Sequence, residues 1–452
     1  MTESQTIPIV PVTAESLASS SKQLTGAQND WLQSIDFKPD PGNQVLLPGA
    51  DGKLSAVMVA VNVDAPLQVL AGLPAQLPAG DYHLQCEQDE HWQGQAMLGW
   101  QFGAYRFQRY LDNDKPLPHL HIPRPLLDPV MRPADATTLV RDLINTPTED
   151  MGPEQLELAT RLLADEYGAV FGAVSGSDLE THFPAIHVVG RASHRPPRLL
   201  RLSWGDKKHP KIAVVGKGVC FDTGGLNIKG GAGMLKMKKD MGGAAHALGL
   251  ARMIMDARLP VRLEVYIPAV ENAIAGNAYR PGDVIATRKG LSIEITNTDA
   301  EGRIVLADAL TLACEHEPEL IIDFATLTGA ARVALGADLP PLFSNDIELA
   351  EELHGHGDEL EDPLWPMPLY QPYLRMLKSN IANHVNSASS GFAGCITAAL
   401  FLQQFVDPDI SWCHFDTYGW NDSDRPGRPA GGEAMGMRAS FAMLAQRYGN
   451  AV

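Results

Sequence analysis

Two stretches of this chain put charged side chains where the surrounding pattern calls for apolar or small ones. In residues 214–243 a strand-like run leads straight into Lys217, and Asp222, Lys229 and Asp240 follow. Glycines at 216, 218, 224, 225, 230, 231 and 233 let that backbone turn tightly or approach a ligand closely. A glycine-rich surface loop with solvated charges would read the same way. The second stretch is Asn297-Thr-Asp-Ala-Glu-Gly-Arg303. If it is extended, Asn297, Asp299, Glu301 and Arg303 share one face. Two neighbouring carboxylates are costly unless a proton or a cation sits between them. Arg303 could neutralise one of them; a metal would account for both and leave Arg303 free for an anion.

Asp222, Asp240, Asp299 and Glu301 together carry a charge that two divalent cations would balance. Oxygen-rich ligation without cysteine or histidine suits magnesium or manganese, and zinc if an amine nitrogen joins. The chain has no His-Glu-x-x-His, no Gly-x-Ser-x-Gly and no Gly-x-x-x-x-Gly-Lys-Ser/Thr. Single-zinc helical proteases, serine hydrolases of that type and phosphate-loop nucleotide hydrolases therefore lose their main support.

These residues need a scaffold. At 452 residues the chain is too long for one ordinary core, so two domains are expected. Residues 115–133 hold six prolines and read as an extended linker, which puts the boundary between 1–133 and 134–452. Before it, strands are expected at 56–63 and 82–86 and an aromatic-rich helix at 91–111. After it, strands (169–174, 212–215, 263–267, 320–325, 411–415) alternate with helices (153–167, 242–256, 304–314, 393–405). The first two of these strands read as buried on both faces. Such alternation implies an α/β fold: a small N-terminal α/β domain, then a larger one with a mixed, largely parallel sheet flanked by helices. Ligands of such sheets bind beyond the carboxyl ends of strands.

With 54 acidic and 36 basic residues the formal charge is −18, which weighs against nucleic acid and anionic lipid as partners. The apolar content of 45% against 20% charged is that of a globular protein and not of a disordered one. Five scattered cysteines read as reduced thiols. No basic region precedes an apolar run at the start, and polar residues and prolines interrupt residues 56–77, so no membrane span and a cytoplasmic location are expected.

Asn297-Thr-Asp-Ala-Glu-Gly-Arg303 resembles the signature of the leucyl (cytosol) aminopeptidase family of two-metal exopeptidases. Gly216-Lys-Gly-Val-Cys-Phe-Asp222, Met237-Lys-Lys-Asp-Met-Gly-Gly-Ala-Ala245 and Asp323-Phe-Ala-Thr-Leu-Thr-Gly-Ala330 resemble its other blocks in order and spacing. Arg141-Asp-Leu-Ile-Asn-Thr-Pro147 resembles its entry into the catalytic domain. The likeness runs from about residue 140 to about residue 440.

The resemblance implies hydrolysis of the N-terminal residue from peptides or dipeptides by a metal-activated water. Lys217, Asp222, Asp240 and Glu301 would bind one metal (manganese, zinc or magnesium), and Asp222, Asp299 and Glu301 the other. One metal would hold the substrate's free α-amine, so that only a free N-terminus is accepted. Lys229 would stabilise charge on the scissile carbonyl oxygen, and Arg303 would hold a bicarbonate ion that relays a proton. Met237, Thr326, Leu327, Gly329 and Ala434 would line the pocket for the substrate's first side chain, and the assembly would be a homohexamer.

Three departures bear on substrate preference. Lys229 is followed by Gly230-Gly-Ala-Gly233 where the family more usually has proline, so that loop is expected to be more mobile. The block Cys413-His-Phe-Asp-Thr-Tyr-Gly-Trp420 is more aromatic than usual, and residues 425–433 differ from the commoner wall. A rival reading is a binding role, as DNA-binding protein like some relatives or as a hexameric assembly scaffold; the −18 charge and the lack of a basic stripe weigh against DNA.

Overall fold

The computed structural model describes residues 6–111 and 115–449. The chain divides into two compact units, one of residues up to Thr138 together with Asp422–Ala430, the other of Leu139–Asn421 with the C-terminal segment from Gly431. In the first unit, strands β1 (Ile7–Val12), β2 (Gln44–Pro48), β3 (Leu54–Ala60), β4 (Asp81–Leu84) and β5 (His119–His121) form a sheet of order β2-β3-β1-β4-β5. The helix Glu90–Ala104 supplies buried Trp92, Met97, Trp100 and Phe102 to its core. It starts on an Asp89 cap, whose carboxylate accepts from the Trp92 amide, and ends earlier than the aromatic pattern suggests.

The proline-rich segment 115–133 is extended only in its first half, which carries β5, and is helical in its second. Residues Arg124–Asn145 are one helix with Pro129 and Pro133 inside it, and the boundary between the units, at 138/139, falls within it. Pro125, Pro129 and Pro133 are four apart, so the missing donors fall along one helix face instead of breaking the ladder all round. Burial of Leu126, Val130 and Ala134 in the first unit's core offsets the lost bonds.

The second unit is built on β6 (Val170–Ser175), β7 (Arg198–Trp204), β8 (Lys211–Gly216), β9 (Gly218–Asp222), β10 (Arg262–Asn272), β11 (Val284–Ala286), β12 (Ser292–Glu294), β13 (Leu320–Ala325), β14 (Pro341–Ser344), β15 (Trp365–Pro366), β16 (His384–Val385) and β17 (Ser411–Asp416). Its main sheet runs β15-β14-β17-β13-β8-β10-β7-β6, with β9 also paired to β10. The central members β17, β13, β8, β10 and β9 are mutually parallel, while β7 is antiparallel to both β10 and β6, and β14 is antiparallel to β17 but parallel to β15. The fold is thus the two-domain α/β arrangement with a mixed, largely parallel sheet. Helices at Pro153–Tyr167 and Gly242–Asp256 and strand Leu320–Ala325 have the limits their residue patterns indicate.

Strand β8 is buried on both faces, from Ile212 to Val215. Ala213 and Val215 pack with the helix Gly302–Glu315, and the helix Gly242–Asp256 packs against β8 and β13. Strand β6 departs from expectation: it is the outermost strand, and Val170 is 71% exposed. A short β-branched run reads alike whether central or at an edge. Among the described residues no helix is long and apolar enough to cross a membrane, and all five cysteines are free thiols.

At Gly243 the helix comes so close to β13 that a Cβ would lie 2.1 Å from the Phe324 carbonyl oxygen. Gly243→Ala is therefore expected to lower stability by about 3 kcal/mol, the upper end of overpacking costs, in denaturant titration, because backbone must move. Gly355→Ala, in the helix Ile347–Glu359 with open space around its Cβ position, should raise stability by about 0.5–1 kcal/mol in the same assay.

Candidate active site

Because β8, β9, β10, β13 and β17 are parallel, their carboxyl ends lie along one edge of the sheet, and the charged residues follow those ends. Lys217 succeeds β8, Asp222 ends β9, Asn272 ends β10, Thr326 succeeds β13 and Asp416 ends β17. The 3-10 turn Met237–Met241 carries Asp240 into the helix Gly242–Asp256, and Glu301 is the residue before the helix Gly302–Glu315.

Residues 297–301 are a turn leading into that helix, not extended backbone: Asp299 N donates to Asn297 Oδ1 (2.9 Å) and Ala300 N to Asn297 O (3.2 Å). Asp299 and Glu301 still converge because a turn and a helix start, like a strand, can aim alternate side chains inward. Gly302 makes room for this. A Cβ there would lie 2.4 Å from Lys217 Cε, so the lysine stem passes over a residue that has no side chain.

Lys217 Nζ lies 2.8 Å from Asp240 Oδ2 and 2.9 Å from Glu301 Oε1, and also donates to Thr326 O at 3.0 Å. Lys229 Nζ lies 2.8 Å from Asp222 Oδ2 and 2.6 Å from Asp299 Oδ1. Oxygen atoms of Asp222, Asp299 and Glu301 lie within 4.8 Å of one another. Arg303 pairs with neither carboxylate of its own segment; its Nη1 donates to Asn386 O (2.9 Å), and its buried Nε has no partner. The counter-charges of Asp299 and Glu301 are the lysines of the other stretch.

Two ammonium groups leave half of the four carboxylates uncompensated, and the ionisation equilibria reflect this. Burial, reinforced by Asp222 and Asp240, pushes Glu301 up to about 8. Burial, reinforced by Asp240, pushes Asp222 up to about 6. For Lys217 burial opposes the charge, but Asp240, Glu301 and Asp222 outweigh it and hold the amine above its ordinary range. Burial lowers Arg303 to about 10 against the pull of Glu301 and Asp416. Glu301 Oε2 is buried and accepts no hydrogen bond. Three converging carboxylates, an acceptor without a donor and an excess of negative charge fit divalent cations.

The catalytic-domain model of the cytosol aminopeptidase family matches residues 138–441. The chain belongs to the cytosol aminopeptidase family. The N-terminal domain model of the same aminopeptidases matches residues 7–123. A probable cytosol aminopeptidase of Syntrophotalea carbinolica is 44% identical over 313 residues, 68% of this chain and 63% of that relative's length. The crystal structure of a cytosol aminopeptidase from Coxiella burnetii superposes with a TM-score of 0.97 at 49% identity, covering 99% of this chain and 98% of that one. The bottromycin maturation enzyme BotP in complex with Mn superposes with a TM-score of 0.89 at 30% identity, covering 98% and 99%.

Of the residues the family resemblance assigns to the first side-chain pocket, Met237 opens the turn that carries Asp240. Thr326 donates from Oγ1 to Asp240 Oδ1 (2.8 Å). Leu327 is half-buried with its amide on Asp416 Oδ1 (3.0 Å), and Gly329 is exposed at the start of the helix Gly329–Leu335. Ala434 is half-buried, its amide held by Glu433, which Arg141 grips with two nitrogens.

Residue patterns missed the groups that aim the acids. Asn272 Nδ2 donates to Asp222 Oδ1 (2.8 Å) and to Thr298 O (3.0 Å). Asn386 accepts the Thr296 amide on Oδ1 (2.8 Å) and donates to Asn297 O (2.6 Å). Each is a lone asparagine far along the chain, and only its complete burial sets it apart. Asn272→Ala frees Asp222 to turn, so metal affinity or turnover should fall about 10–100-fold while the unfolding midpoint moves far less; a change smaller than threefold would show that Asp222 is held without it.

Proposed function

We propose that this chain removes the N-terminal residue from peptides and dipeptides with a dinuclear metal centre held by Lys217, Asp222, Asp240, Asp299 and Glu301. The observation that carries the reading is the convergence of these five side chains around an uncompensated negative charge, in a chain of the cytosol aminopeptidase family. Manganese is the first candidate, supported by its presence in the BotP complex; zinc and magnesium are the alternatives. Such cations supply a Lewis acid and lower the pKa of water enough for attack at neutral pH.

Asp222 and Glu301 reach toward both halves of the cluster and would help to hold both cations. Lys217 joins as a neutral amine, so loading must expel its proton. Lys229, on a flexible stem between Asp222 and Asp299, holds a positive charge beside the reacting centre and stabilises the oxyanion that forms on the scissile carbonyl. Arg303 offers an unpartnered Nε to an anion, bicarbonate in this reading, able to pass a proton to the leaving amine. The pocket assignments to Met237, Thr326, Leu327, Gly329 and Ala434, a homohexameric assembly and a cytoplasmic location belong to the same proposal.

Glu301→Gln keeps shape and removes the charge; kcat should fall more than about 10³-fold with little change in the unfolding midpoint. Substantial turnover in that variant would sink the dinuclear reading. Because burial raises Glu301 to about 8 and Asp222 to about 6, protons compete with the metal at neutral pH. Manganese affinity of chelator-stripped protein should therefore weaken as pH falls from 8 to 6, with protons released on binding, in titration calorimetry. Affinity independent of pH over that range would contradict these carboxylates as ligands.

A further inference from the structure

Beside the acid cluster, two cations share one aromatic ring. Lys239, in the turn Met237–Met241, is 6% exposed, and its ammonium lies 4.8 Å from the centroid of the Tyr418 ring. It donates no hydrogen bond and joins no ion pair among the described residues. Arg332, on the helix Gly329–Leu335, places Cζ 4.6 Å from the same centroid, also without a carboxylate partner. The acids nearby are already engaged. Asp240 holds Lys217 and Thr326, and Asp416 accepts the amides of Leu327 and Thr328 and the Thr328 hydroxyl.

An aromatic face is weak compensation for a buried ammonium with no acceptor, and a second cation on the same ring makes the charge less favourable still. The pair sits at the carboxyl ends of β13 and β17, on the elements that carry Met237 and Gly329. Gly329 has no side chain to cover the guanidinium: a Cβ there would lie 3.8 Å from Arg332 Nη2. Tyr418 belongs to the unusually aromatic block that follows Trp412.

We propose that Lys239 and Arg332, gathered on Tyr418, form a carboxylate-binding end to the pocket for the substrate's first side chain, so that peptides beginning with Asp or Glu are preferred over those beginning with Asn or Gln. This rests on the aminopeptidase reading above and names a substrate class for it. A carboxylate placed between the two cations accepts charge-assisted hydrogen bonds from both, whereas an amide of the same shape leaves them uncompensated. On a chain of net charge −18, two cations that join no ion pair are also a local exception to a field that otherwise repels acidic substrates.

The test uses full-length, manganese-supplied protein and tripeptides that differ only in the first residue (Glu, Gln, Leu or Lys), with free or amidated C-termini. The wild type should favour Glu over Gln in kcat/KM, and Arg332→Ala and Lys239→Met should each lower that ratio about tenfold or more, with the Leu peptide as internal reference. Arg332→Glu, on an exposed helix surface, should shift preference toward the Lys peptide. A Glu/Gln ratio near one in the wild type, or one unmoved by all three variants, overturns the inference while Leu-peptide cleavage leaves the aminopeptidase reading standing. Discrimination that disappears on amidation assigns the cations to the peptide's C-terminal carboxylate and overturns it too. Failure to cleave any of the peptides sinks both readings together.

Discussion

Four carboxylates brought together in a largely buried volume at the end of a parallel sheet are the constraint on which the rest of this structure depends. Left to themselves they would repel one another and take up protons, and the raised ionisation of Asp222 and Glu301 registers that pressure. Every nearby feature holds them in place or answers their charge. Lys217 and Lys229 insert ammonium groups, Asn272 and Thr326 donate to individual oxygens, and Asn386 ties down the turn that carries Asp299. The parallel strands make the convergence possible, because ends that point one way can deliver residues from positions 217, 222, 272, 326 and 416 to one place.

The cluster also has an inner asymmetry. Asp240 is held below the usual carboxylate range: burial opposes its ionisation, but Lys217 and Lys239 outweigh that. Glu301, equally buried, faces Asp222 and keeps one oxygen without a donor. One acid is therefore settled by lysines and the other is left wanting a cation, a difference produced by the two neighbouring backbones and not by residue type.

Much of this was legible from residue types. Central strands such as 320–325 and helices such as 242–256 announce themselves because burial on both faces, or on a helical stripe, dictates composition. The carboxylates stood out because charge interrupts those runs. Three things did not come through. The second half of the proline-rich segment, from Arg124, forms a helix because its three prolines share a face and its apolar residues find a core, neither of which a proline count reveals. Strand β6 reads as interior although it lies at an edge, since position in a sheet is a property of the whole topology. The turn at 297–301 imitates a strand in its alternation while being held by Asn297 and Asn386, residues without a local signature.

The interleaving of the two units has a consequence for how the chain comes into being. The first unit is not a contiguous piece: its last strip, Asp422–Ala430, is supplied after nearly all of the second unit has been made. A ribosome adding residues in order needs roughly 15–60 s to pass through the intervening stretch. During that time the N-terminal sheet exists without its final segment, and the helix Arg124–Asn145 joins it to strands only then emerging. Completion of the N-terminal unit is thus set by the end of synthesis and not by its beginning, and a gene cut after residue 138 would encode that unit without Asp422–Ala430 and with the helix Arg124–Asn145 severed.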